Sequence, residues 1–136
     1  MSLISSEYSI ITEWNKNKRI YKDIHGFGYP FYHIHPYKQK TVKHIIDNLH
    51  PSINYVIVFG SSVHPWHKWW KDLDLCVIGK LTDDVISESQ PKLYCKGVSI
   101  DFLYYQTLDN LYEDSCRTGS VRYYIKNEGV MVYEKI

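Results

Sequence analysis

Alanine is absent from the 136 residues, while tyrosine occurs 13 times among many isoleucines, lysines and asparagines. That bias fits an AT-rich genome, such as that of a phage or a low-GC bacterium, and bears on origin, not on mechanism. Cysteine is scarce: Cys76, Cys95 and Cys116 are widely spaced and odd in number. This excludes a disulfide framework and a CxxC-type zinc site, and makes a reducing cytosol the expected compartment. The formal net charge is only +1, so there is no global basic field to gather nucleic acid, and binding of that kind would need a local patch. No segment approaches the roughly 18 apolar residues that span a bilayer. The N-terminal MSLISSEYSIITEWNKNK has no basic start followed by a long apolar run, so no signal peptide is expected. What remains is ordinary globular composition, 44% hydrophobic and 23% charged, and a length that suits one domain with little room for a second substrate-binding one.

Periodicity supplies the elements. Ile10, Ile11, Trp14 and Lys18 share one side at helical spacing, which predicts a first helix over 6–20. Two glycines and two prolines between His25 and Pro36 predict an aromatic-rich loop. Pro36 suits the first turn of a second helix, in which Val42, Ile45, Ile46 and Leu49 form an amphipathic stripe, and His50-Pro51 ends it. Asn54 to Phe59 reads as a buried strand and Leu73 to Ile78 as another. Thr82 caps a short helix carrying Asp83 and Asp84 in its first turn. Lys96-Gly97 between Lys92–Cys95 and Val98–Tyr105 predicts a hairpin. Thr107 caps a helix to about Ser115, and a last helix follows Gly119-Ser120. Gly129 is the expected C-cap, and Val130 to Tyr133 is a closing strand. The fold class is therefore α/β (α+β), one twisted mixed sheet flanked by helices.

Chemistry concentrates around Asp72-Leu73-Asp74. Residues two apart on a strand point the same way, with Cα atoms roughly 6.6 Å apart. Two carboxylates so placed can converge on hard cations held about 3.5–4 Å apart, while Leu73 and Leu75 enter the core from the opposite face. Such a pair repels itself, which raises the pKa of at least one member unless a cation such as Mg²⁺ or Mn²⁺ compensates. Asp101 is an acid between Ile100 and Phe102 in a strand, where aspartate is a poor former. A third carboxylate beside the first two accounts for it. Gly60 and Ser61 follow a buried strand. Glycine allows close backbone approach to a phosphate, and a serine hydroxyl with backbone N–H groups can bind its oxygens.

A strand, then Gly-Ser, then Asp-x-Asp in a second strand, then a lone Asp in a further strand resembles the DNA polymerase beta-type nucleotidyltransferase superfamily, in particular its minimal nucleotidyltransferase branch. The resemblance covers roughly residues 40 to 133, including the closing Tyr124-Ile-Lys-Asn-Glu-Gly-Val-Met-Val-Tyr133. It implies a nucleotidyltransferase domain over 36–136, preceded by an extension, 1–35, of helix and aromatic, histidine-rich loop. It further implies that Asp72 and Asp74 bind two metal ions, that Asp101 binds one and helps deprotonate the acceptor hydroxyl, and that Gly60, Ser61 and Ser62 hold the phosphates of an NTP, with ATP favoured. The reaction expected is in-line attack on the α-phosphate with loss of pyrophosphate. The acceptor is open between a protein, as in antitoxin-type enzymes that add AMP to a partner's tyrosine, an RNA end and a small molecule. The absence of an acceptor domain favours protein or RNA.

The chain departs from the family's pattern in the loop before Asp72. Such families often carry Ser-Asp-x-Asp preceded by arginines, whereas here the loop is Val63-His-Pro-Trp-His-Lys-Trp-Trp-Lys71. Lys68 and Lys71 can face the triphosphate only as point charges. Trp66, Trp69 and Trp70 suit base stacking, partner docking or packing of the loop, and the sequence does not choose among them. His33-x-His35 and His64-x-x-His67 lack the cysteine or carboxylate spacing of a zinc site, so His25, His33 and His35 are expected to hydrogen-bond within the aromatic loop. A second function class stays in view: a catalytically inactive nucleotidyltransferase fold serving as a binding or regulatory subunit. A third, a nucleic-acid-binding module, is disfavoured by the near-neutral charge. Oligomeric state is not legible.

Overall fold

The computed structural model describes residues 9–64, 72–93, 97–112 and 121–135. Four strands, β1 (Ile53–Phe59), β2 (Asp72–Gly79), β3 (Ser99–Tyr105) and β4 (Val130–Glu134), form one mixed sheet in the order β3-β2-β1-β4. β1 runs antiparallel to both β2 and β4, and β2 and β3 are parallel. Flanking them are α1 (Ile10–Trp14), α2 (Pro36–Asp47), α3 (Asp83–Ser89), α4 (Leu108–Tyr112) and α5 (Val121–Glu128). The coarse class read from the sequence, a mixed sheet flanked by helices, is the one observed.

Apolar residues occupy both faces of the central strands, which is why β1 and β2 read as nearly continuous hydrophobic runs. On one face Val56, Val58, Leu73, Leu75 and Val77 pack with Val42 and Ile45 of α2, with Val85 and Ile86 of α3 alongside. On the other, Ile57, Cys76, Ile78 and Met131 pack with Leu111 of α4 and Ile125 of α5, and Ile11 and Trp14 of α1 close over them. The face that carries Asp72 and Asp74 therefore becomes a second core two residues further along the strand.

The segment before Pro36 packs into the same body. Phe31 and Ile34 belong to the first core, and the Trp14 indole N–H donates to the Gly129 carbonyl. α1 is much shorter than the 6–20 predicted. Its N-cap Ser9 accepts from the Thr12 N–H, but Asn17 adopts a left-handed φ of 67°. Asn15, 3% exposed, turns its side chain to β4: its amide N–H donates to the Met131 carbonyl at 2.7 Å and its amide oxygen accepts from the Met131 N–H at 2.8 Å. Pairing with the sheet outcompetes continuation of the helix, because Asn already favours side-chain-to-backbone bonding.

One further expectation is corrected. Lys92 and Leu93 are not strand: Gln90–Leu93 is a 3-10 turn, and the rest of that predicted strand and the residues up to Lys96 lie outside the described residues. β3 consequently does not turn back in a hairpin but runs parallel to β2, with α3 and the 3-10 turn supplying the crossover a parallel pair requires. Gly129 follows α5 directly as the expected C-cap, its N–H donating to the Ile125 carbonyl at 3.0 Å, though without a left-handed conformation. A Cβ there would collide with the Ile125 carbonyl oxygen and approach Ile57 Cγ2 to 2.7 Å. Glycine is required because α5 and β1 close on that point.

The other helix starts follow the sequence. Pro36 begins α2, and His35 Nδ1 accepts from the Tyr37 N–H. Thr82 Oγ1 accepts from the Val85 N–H. Thr107 Oγ1 accepts from the Asn110 N–H while the Asn110 side-chain oxygen accepts from the Thr107 N–H, a reciprocal cap.

Candidate active site

Alternation along β2 buries Leu73, Leu75 and Val77 on one side and turns Asp72, Asp74, Cys76 and Ile78 to the other. At the start of the strand that second side is not yet covered by helix: Asp72 is exposed and Asp74 half-buried. The parallel register sets Asp74 directly opposite Asp101 and Asp72 opposite Ser99. Neighbouring strands lie about 4.8 Å apart, so Asp101 flanks Asp74 on one side and Asp72 follows along the strand. This is a closer arrangement than the sequence implied, because β3 is the immediate neighbour of β2.

On the other side of Asp74 stands Phe59, the last residue of β1. Gly60 follows with φ 74°, and a Cβ on it would lie 2.5 Å from Asp74 Oδ2. The residue must be glycine twice over: for its backbone conformation, and because the carboxylate occupies the space of a side chain. Gly60–Val63 forms a 3-10 turn held from outside. His35 N–H donates to the Ser62 carbonyl at 2.8 Å and the Tyr21 hydroxyl to the Val63 carbonyl at 2.9 Å. Ser61 is half-buried at the surface of this turn. Ser62 points inward, 1% exposed, and its hydroxyl has no partner among the described residues. After the turn, His64 pairs with Glu128 at the end of α5, Nε2 to Oε1 at 3.0 Å.

The electrostatics follow from this crowding. Partial burial, then Asp101, then Asp72 push the Asp74 carboxyl above the usual aspartate range, and Lys38 opposes them. Lys38 is a site residue that the sequence reading passed over. It lies on α2 and is 2% exposed. Its ammonium donates to the main-chain carbonyl of Asp72. Burial lowers its pKa, against the pull of Asp72 and Asp74. The signal was present in the helical period: positions 38, 42 and 45 share a face, and a lysine on a face otherwise apolar requires a partner inside. His35, beside it, is likewise lowered, first by burial and then by Lys38.

Lys68, Lys71, Trp66, Trp69, Trp70 and His67 lie outside the described residues. His33 and His35 are hydrogen-bonded, but to partners outside the aromatic loop: His33 Nδ1 bonds the Arg19 carbonyl at 2.8 Å, and His35 caps α2 by accepting from the Tyr37 N–H. His25 instead stacks on Phe27. Cys76 is buried, and burial pushes its thiol up to about 12, which leaves no thiolate for nucleophilic chemistry near neutral pH.

Among the described residues no three His, Cys, Asp or Glu side chains gather closely enough to hold a metal ion by themselves. The donor set nonetheless suits a hard divalent cation. It consists of carboxylate oxygens at the start of a strand, and Mg²⁺ is commonly held by only one or two carboxylates, with phosphate and water completing its shell. Comparison of the chain with family models, curated proteins and solved structures finds no match.

Proposed function

We propose that the chain is a metal-dependent nucleotidyltransferase that transfers an NMP from an NTP to an acceptor hydroxyl with release of pyrophosphate. The observation that carries this reading is the register of β2 and β3. It sets Asp101 beside Asp74, with Asp72 on the same face and the Gly60–Ser61 turn against the Asp74 carboxylate. Three acids and a glycine turn drawn from three separate stretches of sequence meet at one end of the sheet. A scaffold gains nothing from that crowding, which raises the energy of Asp74.

Each residue then has a role. Asp72 and Asp74 would hold two divalent cations, and Asp101 would bind one of them and accept the acceptor's proton. The Gly60–Ser61 turn would bind the phosphates through its backbone N–H groups and the Ser61 hydroxyl. A divalent cation bound here supplies Lewis-acid polarisation of the phosphate and lowers the pKa of the attacking hydroxyl. The NTP, with ATP favoured, and a protein or RNA acceptor complete the reading.

One observation favours the second reading, an inactive binding or regulatory subunit: the three carboxylates do not form a ready-made metal cluster among the described residues. The two are separated by incubating wild type and Asp72→Ala/Asp74→Ala with each α-labelled NTP and Mg²⁺ or Mn²⁺ in cell lysate. Label transferred to protein or RNA by wild type alone supports the enzyme. Absence of transfer, together with no metal-dependent NTP binding by calorimetry, rejects it in favour of the subunit.

A further inference from the structure

Lys38 is hard to explain as a packing residue. A lysine is among the side chains least often fully buried, and burial without compensation is costly. Here the ammonium is drawn to the first residue of β2. It donates to the Asp72 carbonyl and lies within the field of the Asp72 and Asp74 carboxylates. It arrives from α2, whose residues Val42 and Ile45 pack on the opposite face of the sheet from the acids. The helix thus passes a positive charge to the strand end while leaving the acids' own face open. The carbonyl alone would be satisfied by any donor, whereas the field of the two carboxylates acts on a full charge.

We propose that Lys38 is a built-in counter-cation for the carboxylate end of the sheet, holding that end together before a divalent ion arrives and weakening the affinity with which the ion is then bound. The second half rests on the nucleotidyltransferase reading and the first does not. Physically, an ammonium fixed beside Asp72 and Asp74 offsets their mutual repulsion in the metal-free protein, and repels an incoming divalent charge through a medium of reduced dielectric. Such a residue keeps the site loosely loaded, so that metal and NTP phosphates are taken up together, not metal alone. Lys38 would be a positioning residue, acting through the acids.

The test is a double-mutant cycle in metal-free buffer, read by urea unfolding, with Lys38→Met and Asp74→Asn singly and combined, followed by Mn²⁺ titration of wild type and Lys38→Met. The expected coupling is at least threefold in the unfolding equilibrium constant: Lys38→Met destabilises less when Asp74 is already neutral. Mn²⁺ is expected to bind Lys38→Met roughly tenfold more tightly than wild type, and Lys38→Arg to return the affinity toward wild type. Should Lys38→Met prove too unstable, Lys38→Gln, which keeps a donor for the Asp72 carbonyl and drops the charge, enters the same cycle. Additive effects in the cycle would overturn the counter-cation, leaving Lys38 as a hydrogen-bond donor to the backbone. Equal Mn²⁺ affinity in wild type and variant would overturn its influence on metal. Absence of Mn²⁺ binding to any form would overturn that influence and the nucleotidyltransferase reading with it, while the metal-free cycle still decides the first half.

Discussion

Gly60 and Asp74 show how two residues fourteen positions apart constrain each other. The carboxylate occupies the space where a side chain at position 60 would begin, so Gly60→Ala must either displace Asp74 or distort a turn already in the left-handed region. We expect it to cost about 1–3 kcal/mol in urea unfolding and to lower label transfer about a hundredfold. Asp74→Asn goes the other way in stability. A carboxyl whose folded pKa is raised holds its proton better folded than unfolded. Wild-type stability therefore falls as pH climbs from the ordinary aspartate value of 3.8 to the raised folded one, and stays lower above it. The variant should be more stable than wild type at neutral pH, with the advantage fading as the solution is acidified toward and below 3.8; urea midpoints across pH measure this. Mn²⁺ in hundredfold excess over its Kd should stabilise wild type by about 2.7 kcal/mol and leave Asp74→Asn nearly unmoved.

The elements show what the sequence could and could not disclose. Strand β2 was legible because Asp72-Leu73-Asp74-Leu75 alternates before passing into a two-sided apolar run, and α2 because its stripe and Pro36 agree. β3 was legible as a strand but not as the neighbour of β2: Lys96-Gly97 has the chemistry of a tight hairpin, and only the crossover through α3 distinguishes a parallel pair from it. α1 was overextended because a helical period in 10–18 says nothing of Asn15's distant partner on β4. Gly129 shows the same limit. Its position after a helix reads as a C-cap, whereas its need for glycine comes from Ile57 in another element. Gly129→Ala is accordingly expected to destabilise by about 1–3 kcal/mol through overpacking, as thermal unfolding of the variant against wild type would reveal. Of the site, the acids and the glycine turn were visible in the sequence. Lys38 was visible only as a lysine on an apolar helix face; its partner, the Asp72 carbonyl, lies 34 residues away.

In the molecule as a whole, two cores share one sheet, and the acids stand where the second core has not yet begun. Packing and the proposed chemistry are separated along a single strand: Cys76 and Ile78 belong to the core, Asp72 and Asp74 to the strand's start. Deep core substitutions such as Ile45→Ala should therefore cost about 2–5 kcal/mol while leaving label transfer per folded molecule within about twofold of wild type, provided the assay is run well below the melting transition. No helix among the described residues is long and apolar enough to cross a membrane.

Among the described residues, the sheet's outer strand β4 has a neighbouring strand on one side only. There the Asn15 amide makes both bonds that a passing strand would make with Met131, and Glu134 accepts the Ile10 and Ile11 N–H groups beside it. An exposed strand edge is a template on which other chains can add. A side chain that gives the edge one donor and one acceptor, and turns its amide nitrogen also to the Tyr29 hydroxyl, behaves as a chain terminator: it satisfies the edge without presenting a further edge for the next molecule. Asn15→Leu would withdraw that terminator, and the consequence to look for is colloidal, light scattering that grows with protein concentration while the monomer's own fold is still intact.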